Sequence, residues 1–191
     1  MAHETQEARR RSDRPTEAVT RDGVHLRIRL ATPADIGQLA DIYSHLTEQE
    51  MRFRFKGPVT KLSLEEIGDL VNPACGMTSY LAFSEDLAVA CATLVHDPGR
   101  NAAEVILSVR PDWKGRGVSW TLLHDVIARA EAAGLKRISS TELGEDRDAI
   151  NLQREMGFVA RLKSADPVSV SMEKTLDGNG SAPLPANWQQ E

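Results

Sequence analysis

The stretch of this chain best suited to chemistry is VRPDWKGRGVSWTLL, from Val109 to Leu123. An apolar run ends, Lys114 and Arg116 alternate with Gly115 and Gly117, and an amphipathic pattern begins at once. The start of a helix leaves backbone N–H groups unpaired and carries a partial positive charge. A glycine there lets an anion reach the backbone without a Cβ in the way. Lys114 and Arg116 add formal charge, so the segment suits a pyrophosphate. It has no Gly-Lys-Ser/Thr after a four-residue spacer, and the third position of a G-x-G-x-x-G pattern would be Trp120. Nucleotide hydrolysis and dinucleotide redox chemistry therefore lack their signatures. The residues alone leave two readings open: an anion site, or a tight turn with a solvated charge pair.

Few other residues invite a chemical role. Glu104 in AAEVILSV shares one strand face with Ile106 and Ser108, while Ala103, Val105, Leu107 and Val109 share the other. By pattern it is either a solvent-facing strand residue or a carboxylate poised over a site. His45, at the end of a helical pattern, interacts with the helix dipole or relays a proton. His96 and His124 carry no assigned role. Cys91 sits in an apolar run and packs; Cys75 lies beside Gly76 in a loop, and nothing supports a covalent intermediate on it. MRFRFK, residues 51–56, interleaves cations and aromatics, as a nucleic-acid platform does. The net charge of −5 argues against that use, because a nucleic-acid binder shows a basic face. It leaves open a cationic substrate, which an acidic surface would attract.

These residues need elements to position them. VHLRIRL (24–30) alternates as a half-buried strand, and TPADIGQLADIYSHL follows with Thr32 as N-cap and Pro33 at the first helical position. EQEMRFRFKGP reads as a connector. SLEEIGDLV opens with Ser63 and Glu66 at capping-box spacing. TSYLAFS and LAVACATLVH flank Glu85-Asp86 as a hairpin, and AAEVILSV is a further strand. Leu122, Leu123, Val126, Ile127 and Ala130 form one stripe that stops at Gly134. KRISSTEL, DRDAINLQREMG and the closing FVARL and VSVSMEKTL read as strand, helix and two strands. The order β-α-α-β-β-β-α-β-α-β-β predicts an α/β (α+β) domain. Its mixed, mostly antiparallel sheet is flanked by helices and has one strand–helix–strand crossover around the glycine loop.

At 191 residues the chain suits one domain with a substantial core. Residues 1–22, Arg-rich but also acidic, read as a disordered arm; 23–176 as the folded domain; 177–191, rich in Gly, Pro and Asn, as a flexible tail. Trp188 belongs to that tail. No apolar run approaches a membrane span. Two cysteines without metal-ligand spacing leave no disulfide framework, so a reducing, cytoplasmic setting is the expectation.

A strand ending VRPDW, then KGRGVS, an amphipathic helix, a strand, and a helix ending REMGF together resemble the GNAT superfamily of acyl-CoA-dependent N-acetyltransferases. The signature Arg/Gln-x-x-Gly-x-Gly/Ala appears here as Lys114-Gly115-Arg116-Gly117-Val118-Ser119. Lysine keeps the charge at the first position, and serine at the last is still small. Within the superfamily, DGVHLRIRLATPAD, HLTEQEMRFRF, LSLEEI and DPVSVSMEKTL look most like bacterial Pat-type protein lysine acetyltransferase domains.

The resemblance implies the roles that follow. Acetyl-CoA is the cosubstrate, its pyrophosphate held by the amides of Lys114, Gly115, Arg116, Gly117, Val118 and Ser119. The strand end Leu107, Ser108 and Val109 splays from its neighbour and pairs with the pantetheine arm. Asp146 takes a position near the cofactor where relatives often carry Asn. Gln153 stands where many relatives place a Tyr as general acid, and an amide cannot serve so. Glu104 matches the glutamate that acts as base toward the acceptor ammonium. The region around MRFRFK forms the acceptor side. The resemblance implies acetyl transfer to a primary amine, a protein lysine, by direct attack in a ternary complex, without metal or covalent intermediate. A small-molecule amine acceptor, or a non-catalytic acyl-CoA-binding module, stays open, and a homodimer is common in the family.

Overall fold

A computed structural model describes residues 14–55, 61–165 and 168–176. The tail 177–191 with Trp188, residues 1–13 of the arm, and Lys56 lie outside the described residues.

Among the described residues, eight strands make one sheet: β1 (Thr16–Val19), β2 (His25–Leu30), β3 (Met77–Ser84), β4 (Leu87–Asp97), β5 (Ala102–Val109), β6 (Arg137–Leu143), β7 (Val159–Ala165) and β8 (Val168–Thr175). Their spatial order is β1-β2-β3-β4-β5-β6-β8-β7. Within it β5 and β6 pair in parallel, and the other neighbours are antiparallel. That is the expected mixed sheet with one crossover. Five described helices flank it: α1 (Ile36–Ser44), α2 (Glu48–Arg54), α3 (Leu64–Leu70), α4 (Val118–Ala132) and α5 (Arg147–Glu155).

Alternation along the strands sends apolar residues to both faces. Under α4 and α5, Ile28, Ala82, Val105 and Ile138 pack with Leu122, Leu123 and Val126. Under α1 and α3, Leu81, Phe83 and Cys91 pack with Leu39, Ile42, Ile67 and Leu70. A sheet covered on both sides is buried throughout its centre, which explains why LAVACATLVH is an unbroken apolar run. The same cover buries Ser108 completely, so the β5 face holding Glu104, Ile106 and Ser108 is no solvent face.

Three features depart from the sequence reading. Residues 16–19, expected within a disordered arm, form β1 on the outer edge of β2. The cause is a buried cation: Arg129 on α4 pairs with Asp125 and donates to Arg14 O and Thr16 Oγ1, at 3.0 and 2.8 Å, which fastens the segment to the sheet. The connector after Thr47 is instead helix α2. Thr47 and Glu50 cap each other, Oγ1 accepting from Glu50 N at 3.2 Å and the carboxylate accepting from Thr47 N at 2.8 Å. This reciprocal pair is a capping box. Pro33–Asp35 also forms a 3-10 turn ahead of α1, so Thr32 starts that turn rather than the α-helix.

Candidate acyl-transfer site

The glycine loop has the form its sequence implies. Gly115 and Gly117 sit at φ 74° and 75°, and a 15-residue helix begins at Val118. Both angles lie in the left-handed region that glycine tolerates. First-turn N–H groups of α4 thus point out of its N-terminal end. A Cβ built on Gly115 would meet nothing within 4 Å, so one flank of the loop lies open. A Cβ on Gly117 would lie 3.0 Å from Thr20 Cβ, so the turn after β1 presses on the other flank. The two cations of the loop have partners within the protein. Lys114 Nζ lies 2.9 Å from Glu50 Oε1, and Arg116 stands 5.0 Å over the ring of Trp113. Against the cost of its burial, the Thr47 amide of the α2 cap and then the lysine bridge hold the Glu50 carboxyl at about 2.

β5 and β6 part company early. Their parallel pairing covers Ala102–Glu104 against Arg137–Ser139 and goes no further, while β4 follows β5 to Val109. Arg110 N donates to Val89 O, and bonded pairs in an antiparallel ladder recur every second residue. Ser108 and Ile106 therefore bond to β4, and the backbone groups of Leu107 and Val109 face the gap. Arg54 at the end of α2 already uses one of them, its Nη2 lying 2.6 Å from Leu107 O, with Nε 3.0 Å from Ser108 Oγ.

The gap opens into a cleft of about 1190 Å³ between β5, β6 and α2. Its walls include Glu104, Leu107, Thr141, Glu142, Arg54 and Phe55. Glu104 stands where the strands separate, half-buried, and Thr141 Oγ1 donates to its Oε1 at 2.9 Å. Glu142 lies one residue along β6 from Thr141, bound by Gln153 Nε2 at 2.6 Å, and burial raises its carboxyl above the ordinary glutamate range.

The cleft thus brings together Glu104 and Leu107; Ser108, Val109 and the glycine loop follow along the chain outside its lining. Asp146 is engaged otherwise: it caps α5, its Oδ1 accepting from Ala149 N at 3.1 Å. His45 caps α1, its Nδ1 2.7 Å from Asp41 O and its Nε2 3.3 Å from Arg110 Nη2. His124 stacks on Trp120, and Cys91 is fully buried. Phe53 and Phe55 of the basic-aromatic segment line the cleft, the latter edge-on to Tyr43. Sequence alone assigns Arg54 and Glu142 no role. The Thr47–Glu50 spacing that positions Arg54 is readable; the approach of Gln153 to Glu142 depends on how α5 docks and is not.

The arrangement fits coenzyme A. It has a glycine-containing loop at a helix start for a diphosphate, and along the same strand an edge with no neighbouring strand among the described residues beyond Glu104 for an amide-bearing arm.

Comparison with known proteins agrees with this geometry. The GNAT domain of S. lividans PAT superposes with a TM-score of 0.74 at 23% identity, over 85% of this chain and 97% of that one. A PaiA N-acetyltransferase from Thermoplasma acidophilum in complex with coenzyme A gives 0.63 at 15%, covering 78% and 98%. A spermidine N-acetyltransferase SpeG chimera from Vibrio cholerae and hSSAT gives 0.65 at 17%, covering 79% and 95%. Residues 39–158 match the acetyltransferase (GNAT) family. The chain belongs to that family and is an acetyltransferase that uses acetyl-CoA.

Proposed function

We propose that this enzyme acetylates the side-chain amine of protein lysines by direct attack in a ternary complex. The observation that carries the reading is the point where β5 and β6 separate. A carboxylate stands there between an open cleft and a strand edge that leads to the glycine loop. When bound, acetyl-CoA supplies an acetyl group activated as a thioester. The amides of Lys114–Ser119 hold its diphosphate, and the Leu107–Val109 edge aligns the arm so that its acyl end meets the cleft at Glu104. Asp146 reaches this region only through the helix start that it caps. Glu104 takes a proton from the acceptor ammonium, which otherwise has no lone pair with which to attack. Thr141 orients the carboxylate.

A protein lysine is favoured by two observations. The cleft is broad, bordered by exposed Glu48 and Arg52 on α2, so it admits a side chain borne on a larger surface. Of the three superposed structures, the GNAT domain of S. lividans PAT has the highest TM-score. A small polyamine is the second reading, because Glu48, Glu104 and Glu142 line the cleft. Acetyl-CoA turnover against free amines and against a lysine-bearing protein extract tests the choice. Acetyllysine formed on protein, with slow turnover of spermidine, supports the first reading; the reverse supports the second. Calorimetry with coenzyme A at two temperatures, because the heat of binding can pass through zero at one, tests the loop assignment: no association at either would remove it.

A further inference from the structure

Even-numbered residues of β6 face α5, and they form a chain of hydrogen bonds that ends in the cleft. Ser140 Oγ donates to Gln153 Oε1 at 2.5 Å, and Gln153 Nε2 donates to Glu142 Oε1 at 2.6 Å. Ser140 and Gln153 are only 2% and 3% exposed. The amide therefore has one orientation, oxygen to the hydroxyl and nitrogen to the carboxyl. Glu142 lines the same cleft as Leu107, and Arg54, bonded to the Leu107 carbonyl, lies close enough for its charge to act on Glu142. The Glu142 carboxyl thus shares its cleft with Leu107 of the strand edge assigned above to the pantetheine arm. Glu104 and Thr141 belong to the other face of the sheet. The two carboxyls of the cleft approach it from opposite faces and with different company.

Resting on the acetyl-transfer reading, we propose that Glu142, positioned by Gln153, is the acid that gives the departing sulfur its proton, while Glu104 serves the acceptor nitrogen. Two carboxyl groups in one site divide acid and base duty when their surroundings differ. Burial lifts the Glu142 carboxyl, and the Gln153 hydrogen bond and the Arg54 charge restrain the rise. The proton balance closes. Glu104 accepts one proton from the ammonium, and the freed amine forms its bond to the acetyl carbon. The carbon–sulfur bond breaks with its electron pair left on sulfur, and Glu142 protonates that sulfur. The nitrogen loses a second proton, to water, as the amide forms. Glu104 discharges to water and Glu142 refills from it, so one proton per turnover reaches solvent.

Gln153 itself has no acidic proton to give, but it holds a group that has. Its substitution tests positioning, and Glu142→Gln tests the acid while keeping shape and the hydrogen bond from Gln153. The expected result is a kcat about 100-fold lower in Glu142→Gln with KM for acetyl-CoA unchanged. That is the low end for a positioned acid, because a thiol of pKa about 8.5 already leaves tolerably well. Gln153→Met removes a bond that favours the ionised carboxyl, so the alkaline limb of kcat moves to higher pH. A second readout needs no cosubstrate. Because its pKa is raised in the fold, the wild type binds more protons folded than unfolded, and it loses stability relative to Glu142→Gln as pH rises through the folded pKa. Thermal unfolding between pH 4 and 8 reads that loss. If wild type acetylates amines but Glu142→Gln keeps its kcat, or the two unfold with the same pH dependence, the assignment fails while acetyl transfer stands. If wild type acetylates no amine at all, both fail together.

Discussion

Glu104 and its neighbour Thr141 stand where the sheet divides, and this placement fixes what the carboxylate can reach. A strand residue that faced bulk water would be dispensable; one at the apex of a cleft is within reach of any amine entering it. Glu104→Gln is expected to lower kcat/KM by about 100-fold or more across pH 6 to 9, leaving coenzyme A affinity intact by calorimetry. Full turnover in that variant would remove Glu104 from the mechanism. Glu104 is legible in the sequence only through its neighbours, because alternation in AAEVILSV is compatible with either role. Arg54 and Glu142 are not legible. Each acts across a gap between separate elements, 53 residues from Arg54 to Leu107 and 11 from Glu142 to Gln153.

At the scale of elements, the glycine loop is readable and its support is not. Two glycines before an amphipathic run imply left-handed backbone at a helix start, and the structure places both there. That Gly117 packs on Thr20 cannot be read from a segment whose polar composition resembles a disordered arm. Gly117→Ala combines an unfavourable φ with a contact 3.0 Å from Thr20 Cβ. Its expected cost is about 1–2 kcal/mol of stability by denaturant unfolding, with coenzyme A binding weakened more than tenfold. Helix α2 carries the same Thr/Ser-x-x-Glu signal as Ser63–Glu66, but the basic-aromatic run that follows masks it as a connector. The junction of β2 with α1 depends on Asp35, whose carboxylate receives Arg29 Nη1 and Nη2 at 2.8 and 2.7 Å and the Thr32 amide at 2.8 Å. These donors lower its pKa to about 2, chiefly through Arg29. The stability it contributes is complete above the unfolded carboxyl pKa of about 3.9 and is lost as pH falls toward the folded value. Asp35→Asn should therefore be about 2 kcal/mol less stable at pH 7 and approach the wild type near pH 2, as urea unfolding at several pH values would show.

Across the whole molecule, the fold class and the order of strands along the chain after residue 24 follow from the sequence pattern. The remainder depends on Arg129, a buried cation whose partners Arg14 and Thr16 lie 115 and 113 residues away. Among the described residues no helix is long and apolar enough to cross a membrane. The parallel seam, which ends at Glu104 and Ser139, has a consequence for motion. Beyond it, the amides of Leu107 and Val109 lack a β6 partner, whereas those of Ile106 and Ser108 are tied to β4. In deuterated water the first two should exchange orders of magnitude faster than the second two, a sawtooth along one strand. Saturation with coenzyme A should flatten that sawtooth without altering the protection of β8, so the cofactor would serve as the missing rung of an interrupted ladder.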